Sequence, residues 1–234
     1  MRVRVWRGQE SGHFQEFEVP RLESQTVLDV VTHIQRKLDA TLSYRFACRV
    51  GMCGSCAMTV NGKARWTCRT HVATVAQDDR LEIAPLHNLP IVKDLVTDMA
   101  PFFDKWARAQ GQFTGNRKRS DDFARVKPDS RERVLVDEAI ECIGCGVCYS
   151  SCDVVAWNPD YLGPAALNRA WTLENDVRDT ARRERLSAVA GDAGCHACHT
   201  QMSCTERCPK FLSPTKSIAG LKRLVLSAAL KGEL

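Results

Sequence analysis

No run of this sequence comes near the roughly 18 apolar residues that a membrane-spanning helix needs. Its best candidate, Ile218 to Leu230, is interrupted by Lys222 and Arg223, so the chain is not expected to cross a bilayer by itself. Charge of one sign is scarce as well. Lys and Arg number 33 against 28 Asp and Glu, a net +5, and neither half is strongly basic. That balance excludes the footprint of a nucleic-acid binder. The short run Arg117-Lys118-Arg119 reads as part of a solvated connection. The first residues, MRVRVWRGQE, lack the charged-then-apolar layout of a secretory signal.

Cysteine is what the sequence has in excess: 12 in 234 residues, too few for a small disulfide scaffold. Without export the thiols should stay reduced, and clustered reduced cysteines read as metal ligands.

The length allows two modest domains, and the patterning places them at 1–97 and 98–234. In the first, Val3 and Val5 alternate with arginines, and Phe14, Phe17 and Val19 form a second strand-like run. Thr26-Val27-Leu28-Asp29 resembles a capping box, followed by a helical stripe of Leu28, Val31, Ile34 and Leu38. Asn61-Gly62 predicts a tight hairpin between Ala57–Val60 and Ala64–Thr67, and Arg80 to Leu86 supplies another strand. Two strand pairs around one helix predict a β-grasp. Beyond Leu95 the pattern turns helical, so the fold class is α+β with an all-α second domain. Helix is expected over Leu95–Gln110, with Pro101 as a kink or restart, then near Pro164–Leu173, near Val177–Val189 and from Ser213-Pro214 onward. Phe113 to Arg133 reads as an exposed connection. The cysteine clusters of this part are expected in loops between helices.

The first cluster, Cys48-x4-Cys53-x2-Cys56 followed by Cys68, has plant-type [2Fe–2S] spacing. Gly51 and Gly54 let the backbone wrap and aim amides at sulfur. A four-cysteine zinc site competes, but zinc sites usually pair C-x2-4-C units. The second run, Cys142-x2-Cys145-x2-Cys148-x3-Cys152, is the bacterial-ferredoxin pattern, whose fourth cysteine ligates the other cluster. Its partner run reads Cys198, Gln201, Cys204 and Cys208. Cys142, Cys145, Cys148 and Cys208 would therefore hold [4Fe–4S]. Cys152, Cys198 and Cys204 would hold the other cluster, and since Gln201 cannot act as a thiolate, that site should carry [3Fe–4S]. Asp153 stands where the bacterial run usually has proline, placing a carboxylate that would lower the nearby potential unless paired or protonated. Cys195 is left over, with three readings: a buried thiol, the open corner's ligand, or part of the haem-attachment pattern Cys195-His196-Ala197-Cys198-His199.

The motifs ECIGCGVCYSSC, WNP at Trp157–Pro159, GPAAL at Gly163–Leu167 and CTERCPK at Cys204–Lys210, with Cys48 to Cys68, resemble the iron–sulfur subunits of succinate dehydrogenase and fumarate reductase. That resemblance implies a relay from covalent FAD on a flavoprotein subunit, through [2Fe–2S], [4Fe–4S] and [3Fe–4S], to quinone at a membrane anchor with or without haem. It implies a peripheral location on the cytoplasmic face of the inner membrane. Trp157 and His199 match positions bordering the quinone. No catalytic acid, base or nucleophile for the dicarboxylate is expected here. His13, His33, His71 and His87 are isolated and read as structural or exposed. A relay feeding a soluble or thiol-linked fumarate reductase is the alternative, although no appended cysteine-rich segment supports the thiol version. A zinc-stabilised interaction protein without redox chemistry is the other class.

Overall fold

The computed structural model describes residues 1–234. Strands β1 (Arg2–Arg7), β2 (His13–Glu18), β3 (Ala57–Val60), β4 (Lys63–Trp66), β5 (Arg80–Ala84), β6 (Ile91–Lys93) and β7 (Val96–Thr97) all precede residue 98. The helices are α1 (Val27–His33), α2 (Val72–Val75), α3 (Ala100–Arg108), α4 (Arg131–Val136), α5 (Val147–Ser150), α6 (Asp153–Trp157), α7 (Gly163–Glu174), α8 (Arg182–Val189), α9 (Ser203–Glu206) and α10 (Pro214–Leu230). Two compact units result, one of Met1–Pro101 with Ile143–Ser151, the other of Phe102–Cys142 with Cys152–Leu234.

In the first unit, Val3 and Val5 of β1 are fully buried while Arg2 and Arg4 face solvent, as period-two patterning requires. The sheet order is β2-β1-β5-β3-β4. β1 runs parallel to β5, and the other pairs are antiparallel. Thr26 and Asp29 form the expected capping box at α1, each satisfying the other's backbone N–H. The turn after α1 widens, so the Asp39 N–H reaches the Ile34 carbonyl at 2.8 Å. That widening takes Leu38 off the apolar stripe. Leu28, Val31 and Ile34 are buried, but Leu38 is 48 % exposed. Val30, Val31 and Ile34 pack with Val60, Leu81 and Ile83 into one core, each worth about 1.5–3 kcal/mol of burial. Asn61 and Gly62 both take positive φ, 47° and 73°, the requirement of the hairpin turn.

The helix expected over Leu95–Gln110 starts later. Leu95 is buried in a turn between β6 and β7, and α3 begins only at Ala100. Pro101 lies at the helix start, where its missing N–H costs nothing, rather than at a kink. Asp94 explains the change. Its buried carboxylate accepts from Gly8 N–H at 2.7 Å, Ser43 N–H at 2.8 Å and Arg7 Nε at 3.2 Å, which ties the segment to β1.

The second unit is helical. The expected connection over 113–133 ends in α4, which Ser130 caps by accepting the Arg133 N–H at 3.3 Å. α7 is buried along nearly its whole length. Asn168 within it donates to the Ala139 carbonyl at 3.0 Å and accepts from Ser217 at 2.8 Å, so its burial is compensated. Helix was expected near Val177–Val189, but α8 starts at Arg182. There Arg185, fully buried, pairs with Glu174 at 3.2 Å and Asp179 at 2.9 Å. α10 starts as predicted, with Ser213 accepting the Lys216 N–H and Pro214 in the first turn. The loop placement of the cysteines needs correction, since Cys148 lies on α5, Cys204 on α9, and Cys152 caps α6. No helix is long and apolar enough to cross a membrane.

Candidate metal centres

The loop from Cys48 to Cys56 is built around one sulfur. Cys48 Sγ accepts N–H bonds from Met52 at 3.2 Å, Cys53 at 3.3 Å and Val50 at 3.5 Å. Cys53 Sγ accepts from Cys48 N–H at 3.5 Å. That bond leads the causes holding the Cys53 thiol down at about 6. So many amides on one sulfur require a tightly coiled chain, and Arg49, Gly51 and Gly54 all adopt positive φ. Such a coil suits an anionic core whose sulfurs accept from the backbone. Cys56 leads into β3 and Cys68 sits in a 3₁₀ turn after β4. The Thr67 hydroxyl donates to the Cys56 carbonyl at 2.7 Å and locks the two together. Burial pushes the Cys68 thiol up to about 11. A Cβ on Gly54 would fall 2.5 Å from Cys145 Cβ. Within the first unit, therefore, the loop of the first cluster touches the backbone of the second run.

Cys145 and Cys148 belong to the first unit, Cys142 and Cys208 to the second. Lys210, two residues beyond Cys208, pairs with Glu141, which precedes Cys142, at 3.5 Å. The segments that carry Cys142 and Cys208 therefore meet at this pair. Gly144 and Gly146 flank Cys145 with φ of 64° and 78°.

Within the second unit one small cavity brings together Cys152, Cys198 and Cys204, and Gln201 lines it too. The turn from Cys198 to Cys204 is wound by left-handed residues, Thr200 at φ 61° and Met202 at φ 67°, so that Thr200 N–H reaches Cys198 Sγ at 3.4 Å. Burial raises the thiols of Cys152 and Cys204. Tyr161 lines the same cavity and is 1 % exposed. Burial first, and the three neighbouring sulfurs after it, push its phenol above the ordinary range. Across the whole chain no three His, Cys, Asp or Glu side chains converge as a single ion requires. In an iron–sulfur cluster no three thiolates share one iron, so the sulfurs stand further apart than the ligands of a single ion.

His199 lines the cavity. Trp157, at the end of α6, is 65 % exposed and does not line it. Asp153 is exposed in the first turn of α6, where water screens its charge and the helix dipole favours it. Cys195 is fully buried outside the cavity lining, its thiol raised to about 11 by burial. Sequence reasoning missed Tyr161, Thr205 and Thr215, because nothing in their spacing marks them as neighbours of a cysteine.

A family model described as a 2Fe-2S iron-sulfur cluster binding domain matches residues 2–104, and one described as a 4Fe-4S dicluster domain matches 138–212. The chain is 37 % identical to the succinate dehydrogenase iron-sulfur subunit of Paracoccus denitrificans, over 86 % of this chain and 76 % of that one. It belongs to the succinate dehydrogenase and fumarate reductase iron–sulfur subunits. A fumarate reductase iron-sulfur subunit of Mycobacterium tuberculosis is 34 % identical, over 93 % of this chain and 88 % of that one. The fold matches a chain of the Mycobacterium smegmatis Sdh1 complex in its apo form with a TM-score of 0.86. That match has 28 % identity and covers 97 % of this chain and 95 % of the other. Members of this family carry electrons through iron–sulfur centres, and the strand-rich first part and helical remainder suit the two cluster domains.

Proposed function

We propose that this chain relays electrons between FAD on a flavoprotein subunit and quinone at a membrane anchor, in a succinate:quinone or quinol:fumarate oxidoreductase. In this reading the first part is a plant-type ferredoxin of β-grasp topology, and the helical part is a bacterial-type two-cluster ferredoxin. Cys48, Cys53, Cys56 and Cys68 hold [2Fe–2S]. Cys142, Cys145, Cys148 and Cys208 hold [4Fe–4S], and Cys152, Cys198 and Cys204 hold [3Fe–4S]. When bound, these groups supply one-electron carriers in series, while the dicarboxylate chemistry lies on the flavoprotein.

The protein's own part is to position and tune. Amides of Val50, Met52 and Cys53 stabilise negative charge on Cys48, and the Gly54 contact with Cys145 keeps two carrier loops adjacent. Trp157 and His199 are assigned to the quinone, Trp157 through its indole N–H. Exposure of Trp157 suits a residue completed by a partner surface on the cytoplasmic face of the membrane. The observation that supports the reading is one small cavity lined by Cys152, Cys198, Cys204 and Gln201.

Iron and acid-labile sulfide analysis with low-temperature EPR tests it. About nine irons per chain and an oxidised three-iron signal are expected. Zinc without sulfide would end the proposal.

A further inference from the structure

The three-thiolate cavity contains a hydroxyl chain that the relay reading leaves unused. Thr215, in the first turn of α10, places Oγ1 at 3.4 Å from Cys204 Sγ. Behind it, the Thr205 hydroxyl donates to Thr215 Oγ1 at 2.9 Å, and the Thr215 N–H donates back to Thr205 Oγ1 at 3.4 Å. In the protonated thiol either partner of the Thr215–Cys204 contact could donate. A thiolate bound to iron has no proton, so Thr215 must be the donor. The chain then runs one way, from the Thr215 amide through Thr205 and the Thr215 hydroxyl to sulfur. One-way chains polarise one another and strengthen the last bond.

We propose that the Thr215 hydroxyl raises the reduction potential of the centre held by Cys152, Cys198 and Cys204, with Thr205 as the residue that positions it. The proposal rests on those three cysteines being the ligands of a three-iron cluster. Uptake of one electron makes the ligated core one unit more negative. A hydrogen bond to a ligand sulfur stabilises the more negative state more than the less negative one, and so shifts the couple upward. The first turn of α10 acts in the same direction, since the positive end of a 17-residue helix lies beside Cys204. Tyr161 adds a second hydroxyl at Cys198. Because it is buried at 1 % exposure, water competes little for that bond. Two of the three sulfurs therefore face hydroxyls, and Cys198 also takes the Thr200 N–H at 3.4 Å.

The test is an EPR-monitored redox titration of the intact complex carrying Thr215→Val, Thr215→Ser, Thr205→Ala or Tyr161→Phe. Thr215→Val should keep the oxidised three-iron signal and lower its midpoint. A loss of about tenfold in the equilibrium would read as ~59 mV for a one-electron couple. Thr215→Ser should restore most of the shift. Thr205→Ala and Tyr161→Phe should move the midpoint the same way, Thr205→Ala by less. The [2Fe–2S] midpoint should stay in place throughout, which a general loss of packing would not guarantee. An unchanged three-iron midpoint in Thr215→Val with the signal intact would overturn the proposal while sparing the ligand assignment. If wild-type holoprotein gives no three-iron signal, the ligand assignment itself falls. Should Thr215→Val fail to assemble, Thr215→Ala decides, because it removes the hydroxyl without adding a methyl in its place, whereas Thr205 also bonds the Cys204 sulfur directly: a lowered midpoint supports the proposal and an unmoved one overturns it.

Discussion

The Cys48–Cys56 loop and the Cys198–Cys204 turn solve one problem, stabilising charge on sulfur, by different means. In the first, backbone amides do the work. Three N–H groups converge on Cys48, and the chain reaches that shape through left-handed residues and two glycines. In the second, fewer amides reach sulfur, Thr200 at Cys198 and Thr205 at Cys204, and side-chain hydroxyls at Thr215, Thr205 and Tyr161 add to them in a more buried setting. Amide donors come with the loop and are hard to alter singly. Hydroxyl donors come from elsewhere in the chain and can be removed one at a time, so on the proposed ligand assignment the second site is the one whose potential point changes would adjust.

The largest expected break in this comparison is Gln201→Cys. On the proposed ligand assignment, a fourth thiolate at the corner left open by Gln201 should convert a three-iron centre to a four-iron one. The oxidised three-iron EPR signal should disappear and iron content should rise by about one per chain, leaving the [2Fe–2S] signal intact. Persistence of the three-iron signal would show that residue 201 does not face the cluster.

Gly54→Ala probes the amide-built loop. The new Cβ would lie 2.5 Å from Cys145 Cβ at φ +73°, so left-handed strain and a backbone clash add to a cost above about 2 kcal/mol. Gly62→Ala has the same φ and open space around it, and should cost only about 1 kcal/mol. Thermal bleaching of the cluster absorption should rank the two variants in that order. Equal midpoints would remove the Gly54–Cys145 contact from the account.

Away from both centres, burial raises Glu174 to about 7, against the pull of Arg182 and Arg185, and its Oε2 has no hydrogen-bond partner. A carboxyl whose folded-state value exceeds the unfolded one favours the folded state when protonated. Its contribution is complete below about 4.5 and is lost as pH rises to about 7. The thermal midpoint of the wild type should therefore fall across that window relative to Glu174→Gln, which should flatten the profile. Parallel profiles would show that Glu174 is ionised throughout, carried by Arg185. The smallest effect belongs to Arg4→Ala. Its ion pair with Glu82 joins side chains 50 % and 38 % exposed, and such pairs contribute under about 1 kcal/mol. Denaturant titration should barely separate it from wild type.

Much of the first unit was legible because its signals are local. The capping box of Thr26 and Asp29, the Asn61-Gly62 turn and the alternation in β1 depend only on residues a few positions apart. The misreadings came where distant residues intervene. Leu95 sits in a turn rather than a helix because Asp94 is held by Gly8, Arg7 and Ser43. Leu38 leaves its stripe because the chain widens after α1. Cys204 lies on a helical turn where a loop was expected, since a cysteine's spacing says nothing of the backbone between ligands.

Ligand chemistry sets intervals along the chain, so the cysteine runs, and the gap in them at Gln201, were determined by sequence alone. Tertiary structure alone placed Gly54 against Cys145, and brought Thr215 and Tyr161 to sulfurs 11 and 37 positions away in the chain. The reason is physical. A thiolate's identity is carried by its own residue, while the donors that tune it arrive from whatever packs beside it, and packing is a property of the folded chain.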